Sequence, residues 1–114
     1  MINWLSKTLS ADSYIGQIRN QFPGMPWDNV EHYWKRSPLS LVGNVTTPSL
    51  IMTGEEDRRT PISESEQFYQ ALKLQKVDTV LIRVPGSPHG IAGRPSRMIS
   101  KIEYTLAWFK QYQK

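Results

Sequence analysis

The sequence contains no cysteine, and only two of its 114 residues are histidine. The absence of cysteine excludes a disulfide framework and any thiolate metal site. With so few histidines, the sequence also argues against a zinc centre made by the protein alone. We therefore expect neither a metal ion nor another cofactor.

Long apolar runs are also absent. No stretch approaches the roughly 20 consecutive apolar residues that a membrane-spanning helix requires. The start, "MINWLSKTLS", lacks the basic region and the long apolar segment of a signal peptide. These features predict no membrane association, and they leave the compartment open with a cytoplasmic location favoured.

Charge is not concentrated in one part of the chain. The net charge of +4 results from 14 basic and 10 acidic residues that are spread along the sequence. A nucleic-acid-binding protein usually shows a basic stripe, and no such stripe accompanies the four tryptophans. We therefore expect no nucleic-acid partner and assign the tryptophans to the core or to an interface.

The remaining composition is that of one folded globular domain, with 39% hydrophobic and 21% charged residues. Residues 1–44 are rich in Trp, Tyr, Pro and Gly, which predicts short helices and loops. One of these helices is "DNVEHYWKR", opened by Asp28 or Asn29 and ended before Pro38. Residues 45–114 have the clearer periodicity of a βαβα unit.

Within that unit, "PSLIMTG" predicts a strand buried on both faces, and "DTVLIRV" predicts a second strand. Between them, "SESEQFYQALKLQ" predicts a helix in which Ser63 and Glu66 form a capping box. The last segment, "SRMISKIEYTLAWFKQYQK", predicts a helix capped by Ser96 with an apolar face. That face consists of Ile99, Ile102, Leu106 and Phe109.

Alternating strands and helices predict an α/β fold with parallel strands. The loops "GEEDRRTP" and "VPGSPHGIAGRP" then follow the carboxyl ends of neighbouring strands, where α/β proteins bind ligands. Strands about 4.8 Å apart would bring Asp57 and His89 within hydrogen-bonding reach. A carboxylate beside an imidazole is the arrangement of a histidine general base. The alternative is that Asp57 only caps its turn and that His89 lies in a surface loop rich in Gly and Pro.

Three segments together resemble the carboxyl-terminal part of the catalytic domain of the prolyl oligopeptidase family of serine peptidases. They are "TTPSLIMTGEEDRRTPISESEQFYQALK", "VLIRVPGSPHGIAGRPS" and "TLAWFKQY". The resemblance is greatest to the acylaminoacyl-peptidase-like and dipeptidyl-peptidase-like branches. With "NWLSKTLSADSYI" and "YWKRSPLSLVGNV", it extends over essentially all 114 residues. It implies that residues 1–114 form the last part of an α/β-hydrolase peptidase domain, with parallel strands flanked by helices.

The resemblance also implies roles for individual residues. Asp57 becomes the acid of a Ser-Asp-His triad and His89 its base, and no substrate-binding residue is assigned. Glu55 and Glu56 are interpreted as solvated loop residues. Two interpretations stay open for Arg58 and Arg59, which either contact substrate or a neighbouring domain or are ordinary surface residues. Two also stay open for Phe22 and Trp27, which either line a substrate pocket or only pack in the protein. His32 is interpreted as a partly exposed helix residue.

The chain departs from the family pattern in one respect. No serine stands in the G-x-S-x-G context that carries the nucleophile, and the family's oxyanion-hole loop is also missing. The chain alone is therefore expected to be inactive and to contribute to peptide hydrolysis only with a serine supplied upstream. An esterase or other acyl hydrolase on the same fold is the alternative activity.

The family pairs the acid-bearing strand with a further strand that these residues lack. "SLIMT" would then present an unpaired apolar edge, which predicts a homodimer or a higher oligomer. A non-catalytic module that binds a partner through this open edge is the alternative from another functional class.

Overall fold

The chain begins with three short helices and continues as a strand–helix–strand–helix unit. The computed structural model describes residues 1–12 and 15–113. The first part holds α1 (Trp4–Ser10), α2 (Ile15–Gln21), α3 (Val30–Lys35) and a 3₁₀ helix at Pro38–Asn44. The second part holds β1 (Ser49–Gly54), α4 (Ile62–Leu74), β2 (Thr79–Val84), a 3₁₀ turn at Ile91–Gly93 and α5 (Pro95–Tyr112). This order confirms the predicted α/β class.

The two strands pair in parallel, with Ser49 opposite Thr79 and Gly54 opposite Val84. Successive side chains alternate between the faces of the sheet, so each helix covers one face. On the α4 face, the hydroxyl groups of Thr53 and Ser65 hydrogen-bond to each other. On the other face, Met52 lines clefts beneath α5. The prediction that this strand is buried on both faces is wrong, because four of the six residues of β1 are only partly buried. A two-stranded sheet is too narrow to bury its own edges.

A separate apolar cluster joins the three short helices. Phe22 stacks on Tyr33 with ring centroids 4.0 Å apart, and Trp4 meets the edge of Phe22 at 5.0 Å. Ile18 completes the buried part of this cluster. Because each of these helices has only six or seven residues, packing rather than helix propensity holds them.

The apolar face predicted for the last helix exists, but it lies on the surface. Exposed side chains on it are Ile99, Ile102, Leu106 and Phe109, and no residue of α5 is buried. The cleft between α5 and the sheet is instead lined by Lys101, Thr105 and Trp108, with Phe109 the one member of the apolar face that also borders it. The prediction that these residues share one face of a helix is therefore confirmed. The sequence could not tell which face of α5 would lie against the sheet.

Two predicted helix caps are wrong. Helix α4 starts at Ile62 after Pro61, so Ser63 is already helical and Glu66 bonds Arg83 instead. Helix α5 starts at Pro95, which leaves Ser96 inside the first turn. Pro95 occupies the first helical position of α5, where its fixed φ suits the helix, whereas Pro61 precedes α4 as its N-cap with an extended ψ of 147°. Neither helix has a side-chain hydrogen bond at its N-cap.

The end of β1 passes unusually close to the loop that follows β2. A Cβ atom on Gly54 would lie 2.1 Å from the carbonyl oxygen of Ser87 and 2.6 Å from that of Pro88. No side chain fits at this distance, so glycine is required for the two strand ends to approach each other.

We predict that Gly54→Ala lowers the free energy of unfolding by about 1–3 kcal/mol, because the added methyl group forces the two loops apart. Urea denaturation measures this change. Gly43→Ala is the matched control, since its Cβ would meet nothing within 4 Å. Equal stability of the two variants would show that the close approach is not a constraint.

The carboxyl-terminal end of α5 is tied to the segment before β2. The Tyr112 hydroxyl donates a hydrogen bond to Asp78. This bond, with smaller effects of desolvation and of the Asp78 charge, raises the pKa of Tyr112 from 10.0 to about 12. A group whose pKa is higher in the folded state contributes stability below its unfolded pKa, so this contribution is present below pH 10 and is lost as the pH rises towards 12.

We expect absorbance at 295 nm to show a tyrosine that ionises near pH 12 in the unmodified chain. Tyr112→Phe should remove this transition, and Asp78→Asn should return it towards the ordinary tyrosine range, because the charged acceptor is gone. A titration unchanged by either substitution would contradict the assignment.

Candidate active site

The two residues singled out from the sequence meet at the carboxyl end of the sheet. Asp57 lies in the turn after β1, and His89 lies in the loop after β2. The distance between Asp57 Oδ2 and His89 Nδ1 is 2.8 Å. The predicted contact is therefore present, although the residues are 32 positions apart in the sequence.

Asp57 is held by its own turn. Its Oδ1 accepts hydrogen bonds from the backbone amides of Arg59 at 2.9 Å and Thr60 at 2.8 Å. The side chain is only 6% exposed. With Oδ1 occupied by the turn, Oδ2 is directed at His89, so the carboxylate has one orientation.

Unlike the buried Asp57, His89 is exposed to solvent. Its side chain is 63% exposed, and Nδ1 makes the contact with the carboxylate. Because a carboxylate oxygen accepts, Nδ1 is the protonated nitrogen of the neutral ring. No group in the described part of the chain hydrogen-bonds Nε2, which therefore remains accessible to other molecules.

Backbone hydrogen bonds join the two loops beneath this pair. The amide of Glu55 donates to Val84 O at 3.0 Å, and the amide of Glu56 donates to Ser87 O at 3.0 Å. The second loop turns at Gly86, whose φ of +58° favours glycine. Gly90, which follows His89, has an ordinary φ of −85°.

Arg97 is a site-supporting residue that sequence reasoning missed. Its Nη2 donates to the carbonyl oxygens of Pro85 at 2.8 Å and Gly86 at 3.0 Å. An arginine on the first turns of α5 therefore holds the start of the histidine loop. No motif marked it, because the contact depends on how α5 folds back over the sheet.

The charged residues around Asp57 bond within the protein. Arg59 Nε lies 2.9 Å from Asp12 Oδ1, and the carbonyl oxygen of Arg58 accepts from the Asp12 amide at 2.8 Å. Glu55 pairs with Arg83 at 3.0 Å rather than being only solvated. Asp12 carried no sequence signal, since it belongs to no motif that a sequence pattern identifies.

Ser87 is fully buried, and its Oγ has no hydrogen-bond partner. A hydroxyl enclosed in this way cannot reach a substrate. The structure therefore agrees with the sequence, in which Ser87 lacks the flanking residues of a nucleophile.

The remaining candidates lie in the amino-terminal part. Phe22 is buried in the apolar cluster, which favours packing over a pocket role, whereas Trp27 is 66% exposed. His32 is partly buried beside Phe22, with ring centroids 5.8 Å apart. None of the three contacts the Asp57–His89 pair.

Within residues 1–12 and 15–113, no three His, Asp or Glu side chains lie close enough together to bind a metal ion. Among the helices described, none combines the length and the hydrophobicity needed to cross a bilayer.

A buried carboxylate bound to Nδ1 of an exposed histidine can perform general acid–base chemistry at Nε2. The carboxylate fixes the tautomer and stabilises the imidazolium that forms after proton uptake. The pair contains no nucleophile, so its chemistry needs a hydroxyl or a water molecule delivered to Nε2.

Comparison with known proteins identifies the family and the fold. The profile described as the prolyl oligopeptidase family matches residues 1–114. An uncharacterized peptidase of Bacillus subtilis, YuxL, is 40% identical over 88 residues, which cover 75% of this chain and 13% of YuxL. Acylamino-acid-releasing enzyme 1 of Oryza sativa is 30% identical over 103 residues, which cover 90% of this chain and 13% of the enzyme.

Among solved structures, the uncomplexed acylaminoacyl peptidase of Pyrococcus horikoshii superposes on all of this chain with a TM-score of 0.85 and 27% identity. The match covers 20% of that protein. This chain thus spans a small part of the length of each protein it matches. With a family profile that covers every residue and a shared fold, the chain belongs to the prolyl oligopeptidase family.

Proposed function

We propose that this chain supplies the acid and the base, Asp57 and His89, of a serine peptidase active site whose nucleophile lies on a segment outside these residues. The observation that carries the proposal is the 2.8 Å contact between a buried Asp57 carboxylate and the Nδ1 of an exposed His89. Family membership supports it, because the relatives include peptidases and acylamino-acid-releasing enzymes.

In this proposal, His89 Nε2 takes the proton of the serine hydroxyl as the serine oxygen bonds to the substrate carbonyl carbon. Nε2 then gives that proton to the leaving amine as the carbon–nitrogen bond breaks, which leaves an acyl-serine ester. Water attacks the ester by the same route, releasing the acid and restoring the serine. Asp57 holds the ring and stabilises its charge throughout, and the oxyanion donors also come from outside this chain.

The substrate class we propose is a peptide with an acylated amino terminus, by analogy with the relatives named acylamino-acid-releasing enzymes. A general acyl hydrolase of the same fold would use the same pair of residues. Acylated peptides, peptides with a free amino terminus and simple esters distinguish these activities when they are compared on one enzyme preparation.

The test uses the longer protein that this proposal requires. We expect it to hydrolyse an acetylated amino acid anilide and the 114-residue chain to show no turnover above background. Asp57→Asn should lower kcat by about 10⁴-fold because the imidazole loses its orienting carboxylate. His89→Ala should lower kcat at least as much, because proton transfer is lost.

Asp28→Asn and His32→Ala are the matched controls, since both residues lie away from the pair. Full activity of the Asp57 and His89 variants would refute the proposed roles. A longer protein with no hydrolytic serine would refute the peptidase function as a whole.

A second proposal concerns the chain when it stands alone. In the described residues the sheet has two strands, and the outer edge of β1 is unpaired. Backbone amides of successive residues in a strand point to opposite edges. The amides of Ser49 and Glu55, both odd-numbered, donate to β2 or to the residue before it. The amide of the even-numbered Met52 therefore points to the open edge. Strand addition at this edge would join two copies.

We therefore predict a mass above the monomer value of 13.2 kDa in size-exclusion chromatography with light scattering. Met52→Pro should shift the chain towards the monomer, because proline removes an edge donor without removing a bond to β2. Circular dichroism confirms that the variant is folded. A clean monomer of the unmodified chain at high concentration would contradict strand addition.

A further inference from the structure

Glu64 carries a second buried carboxylate, which has no role in the proposed catalysis. Glu64 lies in the first turn of α4 and is 1% exposed. Its Oε2 accepts from the backbone amides of Ile2 at 2.9 Å and Asn3 at 2.8 Å. Its Oε1 accepts from the hydroxyl of Ser6.

These bonds fasten the beginning of α1 to α4. Since a carboxylate removed from water is costly unless donors surround it, Glu64 favours the arrangement in which all three donors are in place. A second set of contacts supports the same segment. The Trp4 amide donates to Ser37 Oγ at 2.8 Å, and the Leu39 amide donates to Ile2 O at 3.0 Å.

The other end of the same segment contacts the turn that carries Asp57. The Asp12 amide donates to the carbonyl oxygen of Arg58 at 2.8 Å, and Asp12 Oδ1 lies 2.9 Å from Arg59 Nε. The backbone amide of Arg59 is also one of the two that hold Asp57 Oδ1. Asp12 therefore contacts the residue that orients the carboxylate.

From these contacts we infer that residues 2–12 form a brace that fixes the Asp57 turn, with Glu64 and Asp12 as positioning residues for the Asp57–His89 pair. The brace is anchored in the first turn of α4 and ends on the Arg58–Arg59 backbone. An exposed turn between a strand and a helix would otherwise be among the more mobile parts of a domain. This inference rests on the proposed function in taking the Asp57–His89 pair as the working pair.

We expect substitution of Glu64 to disturb the brace more than substitution of Asp12 does. Removing Glu64 leaves the partly buried amides of Ile2 and Asn3 without an acceptor, so the whole brace should detach. Asp12 and Arg59 form an exposed ion pair, with side chains 44% and 58% exposed, so its loss should have a small effect.

The first experiment measures the pair directly in the full 114-residue chain. With ¹⁵N-labelled histidine, NMR detects the proton on His89 Nδ1 and the ring nitrogen shifts that report the tautomer. We expect the Nδ1 proton signal in the unmodified chain and in Gln70→Ala, an exposed substitution on the same helix. Glu64→Ala should weaken or remove the signal, and Glu64→Gln, which keeps an acceptor for the two amides, should restore part of it.

Hydrogen exchange of the Ile2 and Asn3 amides, followed in uniformly ¹⁵N-labelled samples of the same variants, shows whether the brace has detached. Fast exchange at these amides with an unchanged His89 signal would overturn the inference. This readout needs no hydrolytic activity, so the inference and the proposed function can fail separately.

The second experiment uses exposed residues, whose substitution leaves the fold intact. In the longer enzyme, Asp12→Ala and Arg59→Ala should each lower kcat by about two- to fivefold with KM unchanged, because an exposed ion pair contributes little. Asp12→Glu should keep most of the activity. The double variant should lose no more than either single variant, since both substitutions remove the same contact.

Additive losses in the double variant would overturn the brace, as would a change in KM alone. If the longer protein shows no hydrolysis, the same variants are compared by the His89 Nδ1 signal in the 114-residue chain, where the non-additive pattern is again expected.

Discussion

The Asp57 carboxylate is the group on which the arrangement of the sheet edge depends. It is buried, and each of its oxygens is used: one by the amides of its own turn and the other by the imidazole of His89. A buried carboxylate with fewer donors would be costly, so the turn, the histidine loop and the carboxylate stabilise one another. The strand ends can supply these donors only because Gly54 lets the two loops touch.

Polar contacts also hold the amino-terminal segment against the α/β unit. The apolar cluster around Phe22 and Tyr33 packs the short helices together, but the bonds from α1 to α4 pass through the buried Glu64 carboxylate. Hydrogen bonds of this kind are directional, so they fix the position of a segment more sharply than apolar packing does. In the proposed brace, this directionality lets a segment of eleven residues position a turn about 45 positions later.

The surface of the chain exposes apolar side chains and backbone groups that a globular domain usually covers. Large apolar side chains of α5 are exposed, and one edge of β1 is unpaired among the described residues. Both features agree with a chain that spans 13–20% of the relatives and the solved structure it matches. An exposed apolar stripe on a helix normally marks a surface that another part of the structure covers.

The sequence by itself determined the order of the strands and helices of residues 45–114, since strand and helix periodicity are local. It placed Asp57 and His89 at one edge of the sheet, and the family resemblance then favoured their pairing. It also gave the resemblance that the family profile confirms over all 114 residues. The caps at Ser63 and Ser96 were mispredicted because both helices start earlier, α4 at Ile62 and α5 at Pro95. Tertiary structure alone decided that α5 turns its apolar face outwards, that Arg97 holds the histidine loop, and that Glu64 and Asp12 anchor the first helix. Those contacts join residues far apart in the chain, where no local pattern can record which donor meets which acceptor.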